Sequence, residues 1–310
     1  MVLDGAGQHE SRWAAIVCNC CELPLRPAQP PSQTCPSDGP STAPNHRYTA
    51  VMIKIIWMTD PHFQNQGTIR GLNPRTRLKA AIDHMNTHHA DADFMVLSGD
   101  LVGDDIAGDY SLLADYLKQS TIPVYPMVGN NDDRTGFRAQ LALPDTVMDD
   151  FIQYRIDTAE AVFLCLDTHM VGSHAGQFCA ARQAWLQDNL TEKPTNIFMH
   201  HPPLPLHLPK QDEIKLADDA AFLDVVGGHG NVKHLFIGHV HRPTCGTVKG
   251  IPFATLGAIS FQAPAPEPAW DWDGFVAAQE APHYGVLYVE TGDATLQYTQ
   301  FCAYETGIET

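Results

Sequence analysis

An α/β fold built around a parallel sheet is the prediction for the stretch from residue 52 onward, and three observations support it. Short apolar runs alternate with segments of helical periodicity, in the order strand, helix, strand, helix, strand. This pattern begins abruptly at residue 52, and residues 1–50 show neither helix nor strand periodicity. The polar residues cluster where the strands stop, which is where open α/β sheets gather ligands.

The isoleucine-rich run 52–58 reads as a strand buried on both faces. Asn73 and Pro74 form an N-cap and first helical position, and Leu78, Ile82 and Met85 then recur at helical spacing up to His88 and His89. Residues 94–97 make a second apolar run ending in Ser98-Gly99-Asp100. Residues 110–117 suit a helix, and 124–128 a third strand ending in Gly129-Asn130. Strands follow at 151–156 and 162–166, then a helix around 180–190 and the run 196–199, which ends in His200-His201. A helix near 220–226 precedes the run 235–237, ending in Gly238-His239-Val240-His241. The runs 251–256, 285–289 and 295–301 read as closing strands.

Composition narrows the function. The 310 residues carry 36 Asp and Glu against 19 Lys and Arg, a formal charge of −17. Such a surface repels phosphate backbones and argues against a nucleic-acid-coating protein; a phosphorylated substrate then needs local cations. Nothing approaches the ~18 continuous apolar residues of a membrane span. Residues 1–50 hold seven of the 23 prolines and four of the eight cysteines (Cys18, Cys20, Cys21, Cys35), without the paired gaps of a zinc site. Residues 1–51 are therefore expected to be a disordered or non-native extension, and 52–310 the catalytic domain. The remaining cysteines are dispersed in a chain with no signal-peptide core, which points to a reduced, cytoplasmic compartment.

Five apolar runs end in residues that can ligate a metal: Asp60 and His62, Asp100, Asn130, His200, and His239 with His241. The two i, i+2 pairs are expected to project to one side of extended chain. Glycines beside Asp100, Asn130 and His239 suit tight exits from the sheet. Singly, each signal has a plain structural explanation. An Asp after a strand usually caps a helix or forms a turn, and a Gly-Asn is usually a turn. Their joint occurrence at five strand ends is what points to a site.

The segments Asp60-Pro61-His62, Gly99-Asp100, Gly129-Asn130-Asn131-Asp132, His200-His201-Pro202-Pro203 and Gly238-His239-Val240-His241 together resemble the calcineurin-like metallophosphoesterase superfamily. Within it the chain is most similar to class III cyclic-nucleotide phosphodiesterases and glycerophosphodiesterases. The resemblance covers residues 52–310 and implies a four-layer αββα sandwich with a two-metal site. It implies one ion on Asp60, His62, Asp100 and His241, and a second on Asp100, Asn130, His200 and His239, with Asp100 bridging. Mixed imidazole and carboxylate ligands suit two divalent or mixed-valence ions of Fe, Mn, Zn or Co. The implied reaction is in-line attack on a small phosphodiester by a metal-bound hydroxide. A phosphomonoesterase, or a catalytically weak scaffold on the same fold, is the alternative. A homo-oligomer is compatible with the sequence.

One position departs from the family pattern. Relatives carry Gly-Asn-His, with the histidine beside the leaving group; this chain has Asn131, whose amide donates a hydrogen bond but delivers no proton. His169 and His207 are candidate substitutes for that histidine. Asp132 either orients a ligand or starts a turn. Arg70, Arg134 and Arg242 are candidate phosphate partners, with exposed salt bridges as the default. His84, His88 and His89 fall at a helix end and suit its dipole better than a metal. The acidic aromatic stretch 267–275 forms either a lid or a dimer edge.

Overall fold

The computed structural model describes residues 52–103 and 110–308; the expectation for residues 1–51 lies outside the described residues. In chain order the elements are β1 (Ile53–Met58), α1 (Pro74–His88), β2 (Phe94–Ser98), α2 (Ser111–Leu117), β3 (Val124–Met127), α3 (Arg134–Gln140), β4 (Tyr154–Asp157) and β5 (Val162–Leu166). They continue as α4 (Ala180–Asn189), β6 (Thr195–Met199), α5 (Pro209–Asp212), α6 (Asp219–Gly227), β7 (Val232–Ile237), β8 (Cys245–Val248), β9 (Ile251–Thr255), β10 (His283–Glu290) and β11 (Asp293–Gln300).

The strands form two sheets. One has the order β11-β10-β1-β2-β3 and the other β4-β5-β6-β7-β9-β8. Strands β1, β2 and β3 are parallel, as are β5, β6, β7 and β9. The edges are antiparallel: β10 pairs with β1, placing Leu287 opposite Ile55, while β4 and β8 close the second sheet. The expected parallel layer is thus divided between two sheets.

Side-chain alternation explains the layering. Phe163, Cys165, Phe198 and Phe236 of the second sheet belong to the same buried cluster as β1, β2 and the α1 residues Leu78, Ile82 and Met85. Their neighbours Val162, Leu164, Ile197, Met199, Leu235 and Ile237 join Leu186 of α4 and Phe222 and Val226 of α6 in a second cluster. Strands buried on both faces therefore stack as helix, sheet, sheet, helix, the αββα order that the resemblance implies. Trp57 ties the two sheets together. Its ring meets Phe236 at 5.4 Å and Phe198 at 6.0 Å edge-on, and its Nε1 donates to Ser98 Oγ at 2.8 Å.

Most elements follow the sequence pattern. Asn73 caps α1 through hydrogen bonds from the Arg75 and Thr76 amides, with Pro74 at the first turn. Three elements do not follow from the pattern. In α3 only Phe137 is buried, α5 has four residues, and β8 (CGTV) is an exposed edge strand, so none shows an apolar period. The run at 151–156 pairs only from Tyr154. Among the described residues no helix is long and apolar enough to cross a membrane, and Cys165, Cys179, Cys245 and Cys302 are free thiols.

Candidate metal centre

The parallel strands of both sheets deliver their C-terminal ends to one place. Asp60 and His62 follow β1, Asp100 follows β2, Asn130 follows β3, His200 follows β6, and His239 and His241 follow β7. The chains leaving β1 and β2 stay paired past the strands, with Asp60 N donating to Gly99 O at 3.1 Å and His62 N to Asp100 O at 3.0 Å.

The expected extended projection of the i, i+2 pairs is not what brings them together. Asp60, His62, His239 and His241 have φ of 53°, 41°, 70° and 52°, and Asp100 has 48°. Five of the seven expected ligands thus occupy the left-handed region, which costs a non-glycine residue ~1–3 kcal/mol and collects at functional sites. Gly99 has φ +100°, and a Cβ on Gly129 would lie 2.2 Å from Asp100 Oδ1, so both positions exclude side chains.

The polar atoms converge closely. His241 Nε2 lies 3.2 Å from Asp60 Oδ1 and 3.1 Å from His62 Nε2, which is itself 3.5 Å from Asp100 Oδ2. His200 Nε2 lies 3.3 Å from Asp100 Oδ1, 3.2 Å from Asn130 Oδ1 and 3.3 Å from His239 Nδ1. All but Asn130 are buried. The opposite nitrogens are committed elsewhere: His200 Nδ1 is 2.9 Å from the Ser98 carbonyl and His241 Nδ1 2.9 Å from that of Phe261. Donation there leaves each Nε2 directed inward, where a metal ion can take the place of a proton. Asp60 Oδ1 is buried and accepts no hydrogen bond. Carboxylates and imidazole nitrogens crowded at these distances are unfavourable unless positive charge, from protons or metal ions, lies among them, so this donor set fits metal ions.

Electrostatics agree. Burial opposes charge on His200, yet Asp100 and Asp60 raise its pKa to about 9. Burial would raise Asp60, but His241 and His200 outweigh it and hold it at about 2. Against the same burial, His200 and His62 hold Asp100 well below the usual carboxylate range. The paired carboxylates demand positive charge. Burial and then His200 push His239 down to about 3, leaving it neutral, the form that ligates.

The other predicted residues divide clearly. Asn131 donates its backbone N–H to Asp100 Oδ1 at 2.9 Å; its amide accepts from Asn130 Nδ2 at 2.9 Å and lies 3.2 Å from His62 Nδ1. The Asp132 carboxylate accepts from Leu101 N (3.1 Å), Val102 N (3.4 Å), Gly129 N (2.7 Å) and the Tyr110 hydroxyl (3.2 Å). It fastens the turn after β2 to the turn after β3, while Asp133 caps α3. Burial and the Asp100 charge push Asp132 up to about 7. His201 is neutral, held well below its usual pKa by burial and His239, with one nitrogen 2.7 Å from Thr168 Oγ1 and the other 3.1 Å from His174 O. His207 is exposed, and His84, His88 and His89 pack near Tyr284 at the end of α1.

Two cavities flank the centre and share Asn130, Asn131 and His174. One, of about 350 Å³, is walled by Phe261, Trp272 and Phe275 and includes Arg70. The other, of about 510 Å³, is polar and includes Arg134, His169 and His174. Of the three arginines, Arg134 is bidentate on buried Asp167 (2.7 Å twice) and Arg242 donates to the Ala263 carbonyl at 2.9 Å. Arg70 alone lines the aromatic cavity. Sequence reasoning missed His174, which sits in an irregular loop with no periodicity to flag it.

The calcineurin-like phosphoesterase family model matches residues 53–243. This chain belongs to that family. A probable cyclic nucleotide phosphodiesterase of Rhodopseudomonas palustris is 32% identical over 261 residues, spanning 80% of this chain and 93% of the relative. The glycerophosphodiester phosphodiesterase GpdQ of Enterobacter lignolyticus is 28% identical over 68% of this chain and 78% of its own. A dimetal phosphatase from Danio rerio shares the fold, with TM-score 0.58 and 16% identity, covering 81% of this chain and 97% of that one. The protein is a phosphoester hydrolase of the metal-dependent kind.

The bracing role of Asp132 is directly testable. Asp132→Ala strands three buried amides, each costing ~1–3 kcal/mol, so urea unfolding should show a loss of several kcal/mol. Asp132→Asn, which keeps one acceptor oxygen, should recover part of it.

Proposed function

We propose that the protein is a dinuclear metal-dependent phosphodiester hydrolase. The observation that carries this reading is the buried convergence of imidazole nitrogens and carboxylate oxygens around Asp60 Oδ1, an acceptor with no donor. Asp60, His62, Asp100 and His241 would hold one ion, and Asp100, Asn130, His200 and His239 the other, with Asp100 serving both. The ligand types favour Fe, Mn, Zn or Co. Two such ions supply Lewis-acid stabilisation of the phosphoryl oxygens and activation of the attacking water. They also offset the repulsion between an anionic substrate and a chain of charge −17. Relatives named as cyclic nucleotide and glycerophosphodiester phosphodiesterases support a diester as substrate.

The chain's own residues orient this chemistry. The carbonyls of Ser98 and Phe261 fix the tautomers of His200 and His241. Asp132 is a positioning residue that holds the Asp100 and Asn130 turns in register. Asn131 sits where the two cavities meet, able to donate a hydrogen bond to a departing oxygen but not a proton. Leaving groups that bear charge comfortably are therefore favoured over alkoxides.

Asp100→Ala should lose both metal occupancy and turnover of bis(p-nitrophenyl) phosphate, whereas His88→Ala, on the exposed end of α1, should do little. Two metals per chain and a near-normal rate in Asp100→Ala would sink the bridging assignment. Hydrolysis of p-nitrophenyl phosphate faster than of the diester would favour a monoesterase instead.

Metal binding should be coupled to protons. The His200 pKa of about 9 means that below this pH a metal displaces a proton. Apparent affinity should then weaken as pH falls, by up to ~10-fold per unit for one proton. Calorimetric titrations at pH 7 in buffers of different ionisation enthalpy would detect the released proton, and identical heats would contradict it.

Asn131→His introduces a group that titrates near neutrality. If residue 131 serves the leaving oxygen, alkyl and ribose leaving groups should speed up ~10-fold or more, and aryl leaving groups should barely change. The rate with poor leaving groups should fall as the imidazolium deprotonates. Equal effects on both substrate types, at unchanged metal content, would remove residue 131 from that role.

A further inference from the structure

The acidic aromatic stretch after β9 has a definite place. Trp272 and Phe275 line the cavity beside the metal centre together with Phe261. Phe261 packs on the ligand imidazoles, 4.3 Å from the ring of His241 and 5.5 Å from that of His62. Phe275 meets Phe261 at 5.8 Å and stacks toward Trp272 at 6.4 Å with 22° between the planes. An unbroken aromatic surface therefore runs from the ligands to the rim, where Trp272 is 42% exposed. Ile214 and Val240 add apolar lining, and Arg70, 4.9 Å above the Phe275 ring, is the one Lys or Arg among the lining residues.

A second, independent feature points to an occupant. Gln211 lines the same cavity at 4% exposure, and its Oε1 is buried with no hydrogen-bond partner. A buried amide oxygen left unpaired is costly, and an N–H of a bound molecule would satisfy it.

We infer that Phe261, Phe275, Trp272 and Gln211 form a subsite for the nucleobase of a nucleoside phosphodiester whose phosphate lies on the metal centre. This inference rests on the phosphodiester reading above. A planar heteroaromatic base has a π-face for the rings and N–H groups for Gln211 Oε1. A glycerol substituent has neither a ring nor enough apolar surface to repay desolvating this wall, and its hydroxyls would face phenyl and indole edges. Asp271 and Asp273, flanking Trp272 in sequence, are compatible with a neutral base and repel substrates carrying further anionic groups.

The test uses the full-length, metal-loaded protein. The ratio of kcat/KM for adenosine 3′,5′-cyclic monophosphate to that for glycerophosphoethanolamine is measured alongside calorimetric affinities for adenosine 5′-monophosphate and glycerol 3-phosphate. Wild type should favour the adenosine compound in both pairs. Trp272→Ala, Phe275→Ala and Gln211→Leu should each narrow the ratio, the aromatic variants by ~5- to 100-fold given the usual worth of base–aromatic stacking. The change should fall on KM, and Trp272→Tyr should restore most of it at equal metal content. Ratios unchanged by all three variants, or a wild type that prefers the glycerol compounds in both turnover and binding, would overturn the subsite. A wild type that hydrolyses neither diester, yet binds the adenosine monophosphate in a Trp272-dependent way, would uphold the subsite and overturn the diesterase reading instead.

Discussion

Carboxylate oxygens and imidazole nitrogens crowded at one buried point set the terms for this molecule. Six buried side chains and the half-buried Asn130 bring nitrogen and oxygen acceptors within 3.1–4.0 Å of one another, and the N–H groups of His200 and His241 are turned outward to carbonyls. Such an arrangement is repulsive unless positive charge, from protons on the imidazoles or from metal ions, lies among the acceptors. The scaffold holds it against that repulsion. Asp132 clamps two of the turns, the Asn131 backbone holds Asp100, and Asp60 Oδ2 is fixed by the His239 amide at 3.0 Å.

Two packed sheets are what make this concentration possible. Parallel strands end on the same side, and stacking two parallel runs back to back puts five loop sets within reach of one point. Trp57, Phe198 and Phe236 fix the sheets against each other one or two residues before those loops begin. The left-handed backbone at five candidate ligand positions is held by a close-packed core, so strain and packing are parts of one device.

The surroundings then divide the work. The candidate ligand cluster is chemically generic and by itself would not distinguish one phosphate ester from another. Selectivity must come from the flanking cavities, one aromatic and one polar, which share the Asn130, Asn131 and His174 ridge. In the proposed reaction an amide at residue 131 would supply no proton, which would leave more of the catalytic demand to the metal ions and to the leaving group itself.

Much of this was legible in the amino-acid sequence. Apolar runs at β1, β2, β3, β6 and β7 announced strands, and the polar residue after each run marked the loop where a ligand can sit. Asn73-Pro74 announced α1. What the sequence withheld was whatever depends on contacts distant along the chain. The apolar pattern alone gave no sign that the parallel strands split into two sheets, which only the family resemblance implied, because a strand buried on both faces looks the same against a helix or another sheet. The exposed edge β8 and the short α3 and α5 left no period to read. The pairs Asp60/His62 and His239/His241 converge through left-handed turns that only the packed loops impose. The same limit applies to Asp132 and to the stretch around Trp272. An aspartate that braces and one that reacts, or an aromatic that lines a cavity and one that lies at an edge, share a composition. The sequence by itself determined which residues could do the chemistry, because residue type and strand pattern are local properties. Only the tertiary structure decided which atoms face one another, because that follows from packing between segments up to two hundred residues apart.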